Sequence, residues 1–357
     1  MLKFIDPNKI FYLSRIFDKK IHNPWSLEIQ PTNNCNLSCN FCAYSKRRKS
    51  NNVKLSSEVM RELVKSIKNL GVKGVFISGG GEPLCWSSDD SRISDFIVEL
   101  SKNSDTALIT NGVLLNNKNL EASKHCFYAM VSLYNPNYYK NGMTEEMYNR
   151  IIGNIKSLVK WKMDVKAKLP FIIIKVIIDK NNYKEVPLIY KEVESLGVDN
   201  IVFRYARNYE GETNIEISPQ QKKELYLLLK EIKDDIDETK TNILDLAKGI
   251  TPEKPRSVNT NKPSRCWIVD FGLYGAVDAA GDVYPCLFYL GNKDFSIGNV
   301  NNLPLEKIWG SKLHQRIIEK LHKEIDKGIC ERCRFMRYNE EIEKLKKDFV
   351  EAHASFI

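Results

Sequence analysis

No apolar run in the 357-residue sequence approaches the roughly 18 residues that a membrane helix requires. The opening residues also lack the uninterrupted apolar core of a secretory signal, because Asp6, Asn8 and Arg15 fall within them. A cytoplasmic location, with no membrane partner, is therefore expected. Histidine is scarce, five residues in all, with no ligand spacing among them. No internal repeat is present, and 43% hydrophobic with 28% charged residues excludes disorder, collagen and coiled coil. The charge sum is 54 − 45 = +9 and is spread along the chain. One dense run, Lys46-Arg47-Arg48-Lys49, reads as a solvated loop or as an attractor of anions. No recognition motif accompanies it, so nucleic acid is not an expected partner.

Cysteine is plentiful. Nine are present: Cys35, Cys39, Cys42, Cys85, Cys126, Cys266, Cys286, Cys330 and Cys333. An odd count in a long chain without a secretory signal argues against a disulfide scaffold and for metal binding or catalysis. Seven of the nine form two groups.

Between residues 26 and 207 short apolar runs alternate with amphipathic stretches. Strands are predicted at Ser26 to Gln30, Val75 to Ser78, Ala107 to Thr110, Tyr128 to Leu133, Phe171 to Ile178 and Ile201 to Tyr205. Helices between them carry cap signals at Ser56, Gly71, Thr144 and Gly197. Such alternation implies parallel βαβ units, too few for an eight-fold barrel, with ligands gathering at the C-terminal strand ends. The cysteine loop, Gly79-Gly80-Gly81, Asn111 and Arg204 all fall at such ends. Ser218-Pro219-Gln220-Gln221 opens a polar helix expected to reach about Asp237, and residues 251–263 read as a linker. A hairpin around Ala280-Gly281-Asp282 follows, then helices from about Leu305 and about Tyr338. The expected divisions are an extension over 1–25, the barrel over 26–215, helix and linker over 216–263, a small cysteine-bearing domain over 264–336, and a terminal helix over 337–357.

Cys35-x3-Cys39-x2-Cys42 places three thiolates in one loop. Three thiolates can hold three irons of a [4Fe–4S] cubane and leave the fourth iron open. A zinc site short of one ligand, or three unrelated cysteines, would also fit the count, although zinc motifs favour paired x2 spacings and a fourth Cys or His. The loop Cys-Asn-Leu-Ser-Cys-Asn-Phe-Cys resembles the signature of the radical S-adenosylmethionine (radical SAM) superfamily, and Gly79-Gly80-Gly81-Glu82-Pro83 resembles its glycine–glutamate motif. The resemblance spans about Leu27 to Arg207. It implies a partial (β/α)6, TIM-like barrel that cleaves SAM to a 5′-deoxyadenosyl radical. It further implies Gly80, Gly81 and Glu82 at the SAM amino group, Phe41 or Tyr44 near the adenine, and Asn111, Ser132 and Arg204 at the ribose and carboxylate. A flavodoxin- or ferredoxin-type reductant is the implied electron source.

Cys266, Cys286, Cys330 and Cys333 lie beyond the linker and can clamp a second [4Fe–4S] cluster; a four-cysteine zinc site has the same spacing. Gly281-Asp282-Val283-Tyr284-Pro285-Cys286, Gly298-Asn299-Val300 and Ile308-Trp309 resemble the auxiliary-cluster extension called SPASM. No cysteine follows Cys333, so the segment resembles the shortened "twitch" form, as in a radical SAM aminocyclitol dehydrogenase. A closed cluster would accept the second electron of an oxidation. Of the leftovers, Cys126 reads as core, and Cys85 as a small hydrophobe or a hydrogen-atom donor that would make an epimerase. His314 and His322 read as surface residues, and Lys175, Tyr205, Arg207 and Asp270 as possible pocket lining. With only 25 residues ahead of Ser26, too few for a leader-binding domain, the expected function is a radical SAM oxidoreductase acting on a small polar molecule such as a sugar, cyclitol or nucleotide. The alternatives are modification of a ribosomally made peptide and, more remotely, a non-catalytic electron carrier.

Overall fold

A computed structural model describes residues 21–39, 41, 42, 44, 53–134, 143–207, 215–248, 265–325, 333, 335, 338–340, 342 and 343. The Lys46–Lys49 run, the 251–263 linker and Cys330 lie outside the described residues.

Six strands, β1 (Ser26–Ile29), β2 (Gly74–Ile77), β3 (Asp105–Thr110), β4 (Tyr128–Leu133), β5 (Phe171–Ile178) and β6 (Asn200–Tyr205), lie side by side in chain order, each parallel to the next. Helices α1 (Ser57–Leu70), α2 (Ile93–Ser101), α3 (Asn117–Ser123), α4 (Glu145–Asp164) and α5 (Val186–Ser195) make the crossovers of an open (β/α)6 barrel. Their ends follow the cap signals. Ser56 Oγ accepts the Val59 N–H, Gly71 adopts the left-handed conformation, and Thr144 Oγ1 accepts the Met147 N–H. Register and alternation separate two faces. Leu27, Ile29, Val75, Ile77, Leu108, Val131, Ile174, Val176 and Phe203 point at the helices and join Met60, Leu63, Ile67, Ile151 and Ile155 in one buried core. The opposite row carries Glu28, Ser132, Lys175 and Arg204 into the barrel.

The C-terminal hairpin is continuous with this sheet. β7 (Tyr274–Val277) pairs in parallel with β1, and β8 (Asp282–Tyr284) and β9 (Gly298–Asn299) extend it antiparallel. The far edge is closed by a side chain: Asn242 accepts the Phe203 N–H at 2.7 Å and donates to the Phe203 carbonyl at 2.9 Å. Asn242 precedes the short helix α7 (Ile243–Ala247), which the sequence pattern did not separate from the linker. The polar helix α6 (Pro219–Glu231) has the expected capping box of Ser218 and Gln221 but stops short of Asp237. There the chain turns to bury Ile236 and to give the Asp237 N–H to the Tyr190 hydroxyl. After α8 (Trp267–Asp270) and the hairpin come α9 (Leu305–Ile308) and α10 (Lys312–Ile325). Among the described residues no helix is long and apolar enough to cross a membrane.

His314 and His322 on α10 are not surface residues of the expected kind. His314 is fully buried against Trp309, and its Nδ1 accepts the Gly310 N–H at 3.0 Å. His322 Nε2 meets Asp270 Oδ1 at 2.6 Å, and Asp270 also binds Arg265. Asp270 therefore ties α10 to α8 and does not line the barrel.

Burial holds the His314 pKa down to about 4. Its ordinary unfolded value is near 6.5, so the unfolded chain takes up a proton first, and stability falls as pH drops from about 6.5 to 4. The expected loss over that window is on the order of 3 kcal/mol. Denaturant unfolding at stepped pH checks this, with His314→Gln expected to flatten the acid limb.

Candidate functional site

Two backbone segments meet at the C-terminal ends of β1 and β2. The turn after β2 lies on the entry to the cysteine loop, where the Gly81 N–H donates to the Thr32 carbonyl and the Glu82 N–H to the Asn34 carbonyl, both at 2.8 Å. Glycine is obligatory here. A Cβ on Gly81 would sit 1.9 Å from the Asn34 carbonyl oxygen, and Gly80 has a φ of 89° with Asn33 and Thr32 within about 3 Å of its missing Cβ. The close approach expected of these glycines is thus made to the cysteine loop itself.

Glu82 is buried and its carboxylate is occupied by the protein. Oε1 accepts the Leu84 N–H and the Thr110 hydroxyl, and Oε2 accepts the Asn111 N–H at 2.7 Å. Burial outweighs these bonds and pushes its pKa up to about 7. Asn111 continues the chain of contacts: its Nδ2 donates to Asn36 Oδ1 at 2.8 Å, inside the cysteine loop. Glu82 and Asn111 therefore fix the end of β3 to the glycine turn and to that loop.

Within the loop the Leu37 and Tyr44 N–H groups donate to Cys35 Sγ and Cys42 Sγ. The Phe41 ring lies 4.6 Å from the ring of Tyr134 at the end of β4. Burial first, and then the three thiols of the loop, raise the Tyr134 phenol well above its ordinary value, although Ser132 hydrogen-bonds it. Tyr44 covers Gly79, and its hydroxyl accepts from Gln30 Nε2 at 3.2 Å. Cys85 is turned to the same loop, with its thiol pushed up to about 11 by burial and then by the charges of Glu82 and Cys35. Cys126 is core, as expected.

Glu28 and Tyr274 complete the interior and were missed from sequence. Glu28 Oε1 accepts from Ser78 at 2.8 Å and from Gln30 at 3.1 Å, and Oε2 accepts from the Tyr274 hydroxyl on β7 at 2.8 Å. The available signal was a lone carboxylate between Leu27 and Ile29 in a strand leading to the cysteines. Across the barrel, burial and then the Arg204 charge hold the Lys175 amine below its usual range, with Cys42 and Glu28 opposing. Tyr205 faces the other way: its hydroxyl donates to the Leu246 carbonyl, and Lys222 lies over its ring.

The second thiol site lies beyond β7. Cys266, Cys286 and Cys333 line one cavity with Phe335, Asn339 and Glu324. Burial, then the neighbouring Cys266 and Cys333, push Cys286 up to about 12, so ionised thiolates here require a compensating cation. Backbone N–H groups of Phe288 and Tyr289 point at Cys286, and that of Phe335 at Cys333. Among the described residues no three acidic, histidine or cysteine side chains close around a single ion. Donors sharing one zinc lie about 2.3 Å from it, whereas a cubane takes each thiolate at a separate corner. The donor sets at both sites, thiols with N–H groups aimed at sulfur, fit iron–sulfur clusters.

An open parallel barrel with a cysteine loop at its mouth and a thiol-lined hairpin domain on its edge defines a class of two-cluster redox proteins. Residues 29–193 match the radical SAM superfamily and residues 266–334 the iron–sulfur cluster-binding domain SPASM. The chain belongs to the radical SAM superfamily and carries a SPASM-type auxiliary domain; its cofactors are SAM and [4Fe–4S] clusters. It is 23% identical over 359 residues to a cysteine-type anaerobic sulfatase-maturating enzyme of Clostridium perfringens, covering 90% of this chain and 92% of that one. It is 29% identical over 175 residues to a probable GTP 3′,8-cyclase of Methanocaldococcus jannaschii, covering 48% of this chain and 56% of that protein. Streptococcus suis SuiB bound to SAM shares the fold with a TM-score of 0.59 at 18% identity, covering 87% of this chain and 72% of that one. The enzyme anSMEcpe with bound AdoMet and the Cp18Cys peptide does so with a TM-score of 0.57 at 21% identity, covering 88% and 87%.

Gly81→Ala is expected to force the two loops apart, destabilising the fold by about 1–3 kcal/mol and cutting SAM cleavage at least about ten-fold. Gly71→Ala, at positive φ but with open space around it, is expected to leave SAM cleavage unchanged. Denaturant unfolding and 5′-deoxyadenosine formation measure the two effects.

Proposed function

We propose that this radical SAM enzyme removes hydrogen from a residue of a polypeptide substrate and completes a net two-electron oxidation with its auxiliary site as electron acceptor. The observation that carries the reading is the likeness to a sulfatase-maturating enzyme over nearly the full length of both chains, through barrel and auxiliary domain alike. The likeness to the cyclase covers about half of this chain. The peptide reading thus has better support than the small polar substrate that sequence alone favours.

When bound, the first cluster and SAM would supply the radical chemistry by which one hydrogen atom leaves the substrate. The protein's own part is to hold and shield. Cys35, Cys39 and Cys42 would carry the first cluster, and Cys266, Cys286, Cys333 and Cys330 the second. Gly80, Gly81, Asn111, Ser132 and Arg204 would border SAM, with Phe41 and Tyr44 at the adenine side. Glu82 would border SAM with them and also braces the site, its carboxylate holding three protein donors. Lys175 would offer a substrate's polar groups a donor in the barrel interior, whereas Glu28, which already holds three protein donors, braces β1 against β2 and β7. A flavodoxin- or ferredoxin-type protein would deliver the reducing electron.

Reconstituted enzyme with SAM and a strong reductant should be offered cysteine-containing peptides beside sugars, cyclitols and nucleotides. The expected outcome is 5′-deoxyadenosine formation stimulated about ten-fold or more by a peptide that loses two hydrogen atoms in its mass. Turnover confined to a small molecule would overturn the reading. A peptide product of unchanged mass would replace oxidation by epimerisation or intramolecular rearrangement.

A further inference from the structure

Of the polar side chains that line the auxiliary cavity, Tyr289 donates to Glu324, and Asn339 turns to a thiol. Asn339 is buried, stands on the helical segment after Cys333, and reaches back across the cavity. Its Nδ2 donates to Cys266 Sγ at 3.6 Å, a normal length for an acceptor as large as sulfur. The amide cannot be turned round, because its Oδ1 accepts the Ile268 N–H at 3.3 Å and a nitrogen there would face another donor. Its own backbone N–H is held by the Phe335 carbonyl at 3.1 Å. The sulfur donors at Cys286 and Cys333 come from backbone, which truncation of a side chain leaves in place. Among the described residues Asn339 is the side chain that gives a hydrogen bond to an auxiliary thiol.

We propose that Asn339 is a positioning residue that raises the reduction potential of the auxiliary cluster by donating an N–H···S hydrogen bond to Cys266. A donor aimed at a thiolate withdraws electron density from it and favours the more negative, one-electron-reduced cluster; no proton is transferred. The effect suits the proposed role of electron acceptor, and it rests on the reading that these thiols hold an iron–sulfur cluster. Orientation by Ile268 makes the bond permanent, since rotation of the amide would leave a buried N–H unpaired.

The test uses the full chain with Cys35, Cys39 and Cys42 replaced by alanine, so that only the auxiliary cluster reports. Its midpoint is read by electron paramagnetic resonance during anaerobic reductive titration, for Asn339, Asn339→Leu and Asn339→Asp. Asn339→Asp keeps the acceptor for the Ile268 N–H, removes the donor and adds negative charge. The expected result is about four irons in each protein, with the midpoint moved to more negative potential in Asn339→Leu and further in Asn339→Asp. An unchanged midpoint with iron retained overturns the proposal. Iron loss from both variants overturns it too, making Asn339 part of the site's framework. Zinc in the chain that retains Asn339 would mark failure of the cluster reading itself, separately from the variants.

Discussion

The rest of the structure depends on the contact between the Gly79–Glu82 turn and the entry to the cysteine loop. Two strands end side by side, and the segments leaving them would diverge without it. Paired N–H···O bonds from Gly81 and Glu82 hold them, at a separation that admits no Cβ on Gly81. Thr110 and Asn111 of the third strand then join through the Glu82 carboxylate, and Asn36 through Asn111. Burying that carboxylate carries a desolvation penalty, visible in its raised pKa, and the three hydrogen bonds offset part of it. A loop of three thiols is thereby held by hydrogen bonds to the ends of β2 and β3 as well as by its own strand.

A second seam joins the two cluster sites. Because β7 pairs in parallel with β1, the hairpin between Cys266 and Cys286 extends the barrel sheet rather than hanging from a linker. Glu28 sits on that seam, bonded to Ser78 on one side and Tyr274 on the other, and Gln30 links it onward to Tyr44 beside the first loop. The Tyr274 ring packs against Phe335, two residues past Cys333. An uninterrupted path of hydrogen bonds and packed rings therefore runs from one thiol site to the other. Such a seam holds the two sites in one framework, as the proposed role of internal electron acceptor requires.

Much of this was legible in the sequence, because it is written in local chemistry. The six strands follow from short apolar runs, the helix ends from Ser56, Gly71, Thr144 and Ser218, and the cluster loops from cysteine spacing. What was not legible depends on contacts between distant segments. Glu28 gains its meaning only when β7 arrives beside β1, some 250 residues later. His314 looks like a surface residue until Gly310 and Trp309 enclose it. Asp270, expected near the barrel, is drawn away by Arg265 and His322, and the early end of α6 reflects burial of Ile236 rather than any break in its own pattern.

The central claim is that one continuous sheet carries two iron–sulfur sites with separate ligand sets. Anaerobic iron and sulfide quantification on reconstituted protein, beside the variant with Cys35, Cys39 and Cys42 replaced by alanine, tests it most directly. The account predicts about eight irons in the parent and about four in the variant, with matching sulfide. About four irons falling to none, with zinc retained, would contradict it: the C-terminal thiols would then be structural, and the enzyme would have no internal electron acceptor.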